Sequence, residues 1–263
     1  MRIAIVIPAR YQSSRFPGKP LAILRGPDGA KTLVQRSWEA AVEAAARCTH
    51  DEVRVVVATD DARIATTAQG FGAEVVMTPT TCRNGTERCA AALPQLGEVD
   101  LVVNLQGDAP LTPPEFVVAC IDAMRTGGAD AATPVLRCDA ETLAMFRADR
   151  AAGRVGGTTA VFGPDGRALY FSKEVLPYVP DSHPADAPVP VFHHVGLYAY
   201  TPEALLSYAR LDEGALEKLE GLEQLRFLEN GLHVRAVEVA AQGRVFWELN
   251  NPIDITRIES ILA

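Results

Sequence analysis

Residues 2–20, RIAIVIPARYQSSRFPGKP, decide how the chain is read. A short run of Ile, Val and Ala, nearly continuous in apolar character, is what a strand buried on both faces of a parallel sheet requires. It empties at once into a loop that carries Arg10, Arg15 and Lys19 and is held in shape by prolines and Gly18. In open α/β sheets ligands sit beyond the carboxyl ends of the strands, and this loop leaves the first strand at that end. Three fixed cations there call for an anion. Backbone amides with Arg10, Arg15 and Lys19 suit a triphosphate, the arginines gripping oxygens in pairs and Lys19 acting as a point charge. The plainer alternative is a solvated basic loop. Neither G-x-x-x-x-G-K-[ST] nor G-x-G-x-x-G is present, so the loop is neither a P-loop nor a dinucleotide turn.

Working outward, the same kind of strand recurs at EVRVVVAT (52–59), AEVVMT (73–78), VDLVVNLQ (99–106) and DAATPVL (130–136). Between them TLVQRSWEAAVEAAAR (32–47), DARIATTAQG (61–70), GTERCAAALPQL (85–96) and PPEFVVACIDAMR (113–125) show helical spacing or helix-start signals. Such alternation predicts βαβ units, a mostly parallel nucleotide-binding sheet with helices on both faces, in a three-layer α/β fold. The second half changes style. TTAVFGPDGRALYF (158–171) reads as two strands around a Gly-Pro-Asp-Gly turn, followed by the proline-rich LPYVPDSHPADAPVPVF (176–192) and the strand HHVGLYAY (193–200). Two helices and a closing strand and helix, VFWELNNPIDITRIESIL (245–262), complete the chain. The expectation is one domain over 1–263, with a smaller β-rich excursion at about 172–200 rather than a linker.

Composition sets the surroundings. A hydrophobic content of 48% suffices for a core, and a net charge of −8 argues against broad binding to nucleic acid or an anionic membrane. The basic loop is therefore a local exception. Cys48, Cys82, Cys89, Cys120 and Cys138 are odd in number, without C-x-x-C spacing or a His cluster, so a reducing cytoplasm is expected and a disulfide framework or zinc site is not. RIAIVI is too short for a signal segment, and no stretch reaches the roughly 18 apolar residues of a membrane span.

Two further stretches point to the same sheet edge. NLQGDAP (104–110) ends a strand with Asp108, and an acid beside a polyphosphate site most simply holds Mg²⁺; an N-cap for the helix near Pro113 is the equal alternative. CRNGTER (82–88) offers an Asn-Gly turn and Arg88.

IPARYQSSRFPGKP, VVVATDD, RNGTER, NLQGDAP, ALYFSKEVLPY, HHVGLYAY and LEKLEGLEQLRFLENG, in this order and approximate spacing, together resemble the 3-deoxy-manno-octulosonate (Kdo) cytidylyltransferases, the CMP-Kdo synthetases. The resemblance runs from Arg2 to about Ile261. It implies a CTP-dependent enzyme of lipopolysaccharide synthesis in which the anomeric hydroxyl of an acid sugar attacks the α-phosphorus of CTP and pyrophosphate leaves. It implies that Arg10, Arg15, Lys19 and Arg88 bind nucleotide and that Gln106 with main chain near Ala9 meets the cytosine. Arg10, Lys19 and Asp108 would be the catalytic residues, His194, Tyr198, Glu223 and Gln224 would face the sugar, and a homodimer would form through the β-rich excursion.

Departures from the family pattern concentrate on the metal and sugar sides. Ala109 stands where the family reads QGDEP, and Asn250 replaces an aspartate that ligates Mg²⁺. Thr159, within a one-residue slip, replaces a lysine, and His193 an arginine. Glu248, two residues before Asn250 and on the same face of an extended chain, is expected to supply the missing charge to a metal shared with Asp108, unless it is a surface residue or pairs with an arginine. Other acceptors stay open: an amino-substituted Kdo, another keto-acid sugar or a phosphonate. So does a non-catalytic nucleotide-binding homologue. By residue type alone His193 and His194 read as core or interface residues, Glu217, Glu220 and Glu223 as a solvated helical stripe, and Trp38 and Trp247 as packing.

Overall fold

The first strand, β1 (Arg2–Ala9), divides its side chains between two cores. Ile3, Ile5 and Ile7 enter one, Ala4 and Val6 the other, as the two-residue period of a strand dictates. Both faces are covered, which is why the run shows no polar alternation. The computed structural model describes residues 1–12, 16–155, 157–180, 182–184, 186–241, 248–249 and 251–263. Arg15, Trp247 and Asn250, with most of the expected strand VFWELNN, lie outside the described residues.

After β1 come a short 3-10 turn at Lys19–Leu21, the hairpin of β2 (Ile23–Gly26) and β3 (Gly29–Thr32), α1 (Leu33–Arg47), β4 (Glu52–Thr59) and α2 (Ala62–Gly70). Next are β5 (Glu74–Met77), α3 (Gly85–Leu96), β6 (Leu101–Leu105), α4 (Pro114–Arg125), β7 (Ala131–Arg137) and α5 (Ala140–Ala151). The second half holds β8 (Thr159–Phe162), β9 (Ala168–Ser172), β10 (Phe192–His194), β11 (Leu197–Tyr200), α6 (Pro202–Tyr208), α7 (Ala215–Glu220), α8 (Leu225–Glu229), β12 (Val234–Val239) and α9 (Asp254–Leu262).

Among the described residues ten strands form one sheet, in the order β5-β4-β1-β6-β11-β7-β10-β8-β9, with β12 also on β7. β1, β4, β5 and β6 are parallel, and so are β7 and β12. β11 runs against β6 and β7, β10 against β7 and β8, and β9 against β8. Only β9, β10 and β11 oppose the common direction, so the sheet is mostly parallel. Side chains of α1, α2 and α4 fill the core on one face, and those of α3, α6 and α8 the core on the other. No described helix is long and apolar enough to cross a membrane.

HHVGLYAY is not one strand, as the sequence suggests, but two. Against β7, His194 pairs with Val135 and Ala199 with Ala132, so four residues face two and Val195–Gly196 is a two-residue insertion. Thr133 Oγ1 lies under the insertion, 2.7 Å from the Leu197 carbonyl and 3.2 Å from that of Val195. Beyond the break, the far edge of β11 pairs with β6 and that of β10 with β8, so the sheet forks. The β-rich part of the second half is therefore a continuation of the main sheet; residues 173–191, within the expected excursion, carry no strand among those described.

LEKLEGLEQLRFLENG also differs from expectation. Gly221, at φ 62°, ends α7, and α8 begins only at Leu225, giving three described helices between β11 and β12 where two were expected before the closing strand and helix. Glu223 and Gln224 therefore stand in a turn ahead of the helix, not on it.

Candidate active site

The ends of β1 and β6 make the floor of a polar cavity that the 3-10 turn and the start of α3 wall in. Ala9, Arg10, Lys19, Arg88, Gln106 and Asp108 all line it. Closeness of the two strand ends depends on Gly107, where a Cβ would lie 2.5 Å from the Pro8 carbonyl oxygen. Ser37 of α1 fixes the same turn by donating to the Gly107 carbonyl at 3.2 Å. The basic loop closes on itself, Gly18 N–H donating to the Tyr11 carbonyl at 2.9 Å with Gly18 in the left-handed region at φ 72°. Tyr11 is braced from outside by the Arg63 guanidinium, 3.4 Å from its ring centroid.

The cations differ in how far they are committed. Arg10 Nη1 donates to the Arg83 carbonyl at 3.1 Å from an exposed position, and Lys19 Nζ pairs with Asp108 Oδ2 at 2.6 Å. Arg88, 2% exposed, donates to Thr78 Oγ1 at 2.6 Å and to Asp60 at 3.0 Å, so its charge is compensated inside the protein. Asp108 is not a helix cap: the N-cap of α4 is Pro113.

Gln106 and Asp108 also line a second cavity, of about 860 Å³, in the fork of the sheet. His194, Tyr198, Glu223 and Gln224, expected from four separate positions in the chain, all reach it. His194 Nε2 lies 2.9 Å from Thr133 Oγ1. That hydroxyl has one proton and faces backbone carbonyls, so the imidazole donates from Nε2 and keeps Nδ1 as an acceptor. Burial lowers the pKa of His194 to about 3, with neighbouring His193 adding, and lowers that of His193 to about 4, so both are neutral near pH 7. Tyr198 donates to Gln224 Oε1 at 3.1 Å; Gln224 Nε2 is buried and has no partner among the described residues. An unspent buried donor on a cavity wall marks a place for an acceptor-rich ligand. Burial raises the Glu223 carboxyl above its usual range, against hydrogen bonds from Thr86 N–H at 3.1 Å and Gln106 Nε2 at 3.3 Å.

The acidic stripe expected to be solvated is not. Glu217, 3% exposed, pairs with Arg226, and Glu220 accepts from Ser172 Oγ at 2.6 Å and Lys173 N–H at 2.9 Å. Trp38 packs against Phe71, as its residue type suggested. Thr159 is buried and donates to the Glu174 carbonyl at 2.7 Å, while Thr158, one residue away, forms cavity wall. His193 also faces the cavity, edge-on to Phe146.

Two carboxylates on the fork cavity could take a divalent cation, Asp108 on the shared wall, where it now pairs with Lys19, and Glu248 on the fork side. Glu248 lines the fork cavity with Asp108, and Leu249 N–H donates to the Asp108 carbonyl at 2.8 Å, tethering the two carboxylate-bearing segments. The described residues contain no cluster of three or more His, Cys, Asp or Glu, so an ion here would need donors from substrate or water as well.

Sequence reasoning missed Lys173, Arg257 and the α5 residues Met145 and Phe146, all on the wall of the fork cavity. Lys173 lies within the quoted ALYFSKEVLPY. α5 carried a start signal in Asp139, whose side chain caps Thr142 N–H at 2.7 Å.

Two cavities divided by one carboxylate allow a group held in the first to be passed to an occupant of the second, which is the arrangement of a nucleotidyltransferase. The cytidylyltransferase family model matches residues 4–237, and the chain belongs to that family. It is 42% identical over its whole length to a 3-deoxy-manno-octulosonate cytidylyltransferase of Maricaulis maris, covering 98% of that protein. It is 38% identical, again over its whole length, to an 8-amino-3,8-dideoxy-manno-octulosonate cytidylyltransferase of Shewanella halifaxensis, covering 99% of it. A solved CMP:2-keto-3-deoxy-manno-octonic acid synthetase complexed with CTP superposes with a TM-score of 0.83 at 32% identity, over 100% of this chain and 98% of that one.

Proposed function

We propose that the protein transfers the cytidylyl group of CTP to the anomeric hydroxyl of Kdo or a close relative of it. The hydroxyl gives up its proton to solvent as its oxygen bonds to the α-phosphorus, the bond from that phosphorus to the bridging oxygen breaks, and pyrophosphate leaves with the electron pair. One observation carries the reading: Gln106 and Asp108 belong to both cavities, so the reacting phosphorus has a place between them. Arg10 and Lys19, with Arg15 from the same loop, hold the phosphates, while Ala9 main chain and Gln106 meet the cytosine. The acid sugar lies against His194, Tyr198, Glu223 and Gln224. Transfer of this kind needs positioning and neutralised charge more than covalent help. Mg²⁺ held by Asp108 and Glu248 would neutralise phosphate charge; Asn250, the third expected ligand, lies outside the described residues.

A second acceptor, the 8-amino sugar, is favoured by one feature. His193, where the resemblance implies an arginine, is half-buried with its pKa lowered to about 4, so it adds no charge near pH 7 beside Lys173 and Arg257, which suits an acceptor that brings an ammonium group. Incubating protein with CTP, Mg²⁺ and a panel of Kdo, 8-amino-Kdo, other keto-acid sugars and phosphonates, and following pyrophosphate, separates the readings. Release with Kdo or its amino analogue is the expected result; no release with any acid, despite CTP binding, identifies a non-catalytic homologue. The setting we propose is a reducing cytoplasm, supported by five buried free cysteines, and a two-fold homodimer, supported by exposed Leu169 on the edge strand β9 and exposed Tyr178. A dimer mass by light scattering at micromolar concentration is the expected check.

A further inference from the structure

Three contacts leave the start of α3, two for the stretch Glu223–Arg226 and one for the end of α6. Asn84 Nδ2 donates to Tyr208 Oη at 2.9 Å, Thr86 N–H to Glu223 at 3.1 Å, and Arg226 Nη1 to Glu87 at 3.2 Å. Their origin, Asn84–Glu87, opens α3, and Asn84 and Gly85 line the nucleotide cavity. The segment at the other end brings Glu223 and Gln224 into the fork cavity.

Arg226 is the joint. It is 1% exposed, lines neither cavity and lies 4.1 Å over the Tyr208 ring. Its Nε and Nη2 each donate to Glu217 at 2.7 Å, a forked pair that closes α7 onto α8. Burial alone would lower its pKa; the bonds to Glu217, with Tyr208 and Glu87 adding, reverse that and keep it charged. Glu87 in turn pairs with Arg83 at 2.6 Å, and the Arg83 carbonyl accepts from Arg10. A continuous polar chain thus runs Arg10–Arg83–Glu87–Arg226–Glu217. A buried guanidinium tolerates little change in its partners, since losing one strands a charge. Displacement of the α3 start by an occupant of the nucleotide cavity must therefore move the turn at 221–224 with it.

We propose that Arg226 is a positioning residue that couples nucleotide binding to the acceptor turn, so that an occupied nucleotide cavity sets Glu223 and Gln224 for the acid. This rests on the two-substrate reading above. The Glu217 pair holds the turn together within itself; the Thr86 and Gln106 bonds to Glu223 reach it from the nucleotide side, and the Glu87 contact is the charged link among them. The division of labour makes Glu87→Gln the informative variant, because it keeps the side-chain shape and the Arg226–Glu217 pair while removing the charge that crosses over.

The first readout is amide hydrogen exchange over residues 221–228, with and without CTP. In the unmodified protein CTP slows exchange there by a factor within the usual coupling range of about 5- to 150-fold. In Glu87→Gln and in Arg226→Lys, which keeps the charge but not the fork, CTP still binds and the slowing falls to less than about twofold. This readout uses no acceptor and so stands or falls apart from the proposed reaction. The second is kinetic: Glu87→Gln raises the acceptor KM about tenfold while the CTP KM moves less than about threefold. A residue serving only stability would lower the melting temperature and leave both the CTP-dependent slowing and the ratio of the two KM values unchanged. That result, or absence of CTP-dependent slowing in the unmodified protein, overturns the proposal; if Glu87→Gln does not fold, Arg226→Lys decides.

Discussion

The two cavities share a wall and are built in different ways. The nucleotide side is made from backbone close approach and fixed cations, all drawn from three short stretches that end at one edge of the sheet. The proposed acceptor side is made from histidines, Tyr198, a buried carboxyl, apolar side chains and two cations, Lys173 and Arg257, brought from β7, α5, β10, β11, α9 and the turn before α8. Phosphate is recognised by charge, which a short loop can carry, whereas a sugar is recognised by shape and hydrogen bonds, which need walls on several sides. The difference also separates what can be changed: the first side tolerates little backbone alteration, and the second can be retuned by side chains.

Asp108 tests the contrast most severely, since it belongs to both sides. Asp108→Asn is expected to lower kcat by about 10³-fold, the scale of losing one preorganised electrostatic group, with a much smaller change in CTP affinity. An equal loss of CTP affinity would assign Asp108 to the nucleotide side alone. Gly107→Ala probes the claim that this side is built from backbone: a Cβ 2.5 Å from the Pro8 carbonyl oxygen should cost about 3 kcal/mol of stability in urea denaturation, and a neutral result would show that the strand ends have slack. Lys19→Ala should weaken CTP binding by about 2 kcal/mol and CMP binding far less; equal losses would move Lys19 away from the outer phosphates.

The acceptor side predicts a pH effect. Folded His194 titrates at about 3 and His193 at about 4, against 6.5 for the ordinary side chain. Below 6.5 the unfolded chain takes up protons that the native state refuses, so stability falls as pH drops from 6.5 towards 4 and is unaffected above it. His194→Gln should reduce the loss between pH 6 and 5 by about 1 kcal/mol, measured by urea titration at both pH values. An unchanged slope would mean that His194 is hydrated and protonated in the fold. The smallest effect belongs to Glu248→Gln, expected to raise the Mg²⁺ concentration for half-maximal activity by about threefold, while Asn250→Asp lowers it. No shift in the first variant would leave Asp108 holding the metal with phosphate and water.

Legibility followed the same division. Arg10, Lys19 and Asp108 lie at the ends of apolar runs, where strand periodicity and loop charge give both position and chemistry, whereas the roles of Ala9 and Gln106 came from the resemblance. The acceptor residues were found through resemblance, because spacing alone made His194 a packing residue and Glu217, Glu220 and Glu223 a solvated stripe. Both inferences read a local period without its tertiary partners: Arg226, Ser172 and Thr86 come from elsewhere in the chain. The β2–β3 hairpin, α5 and β12 were passed over. β12, VRAVEV, carries Arg235 and Glu238 three apart, which breaks the two-residue alternation of a strand, and α5 buries only Leu143 and Phe146. The break in HHVGLYAY was invisible because each half alternates correctly by itself.

That last point has a counterpart in the gene. Val195–Gly196 inserts two residues, and side-chain direction repeats every two, so Tyr198 and Tyr200 stay with Phe227 in one core while Leu197 and Ala199 stay with Phe116 in the other. Deleting a single codon here would exchange the two sets, driving tyrosine rings into space shaped for leucine and alanine. Deleting both codons would keep every side chain facing its own core but would draw β10 and β11 into one straight strand and close the fork. Length changes at this position are thus restricted to even steps, and even the permitted step removes the acceptor cavity.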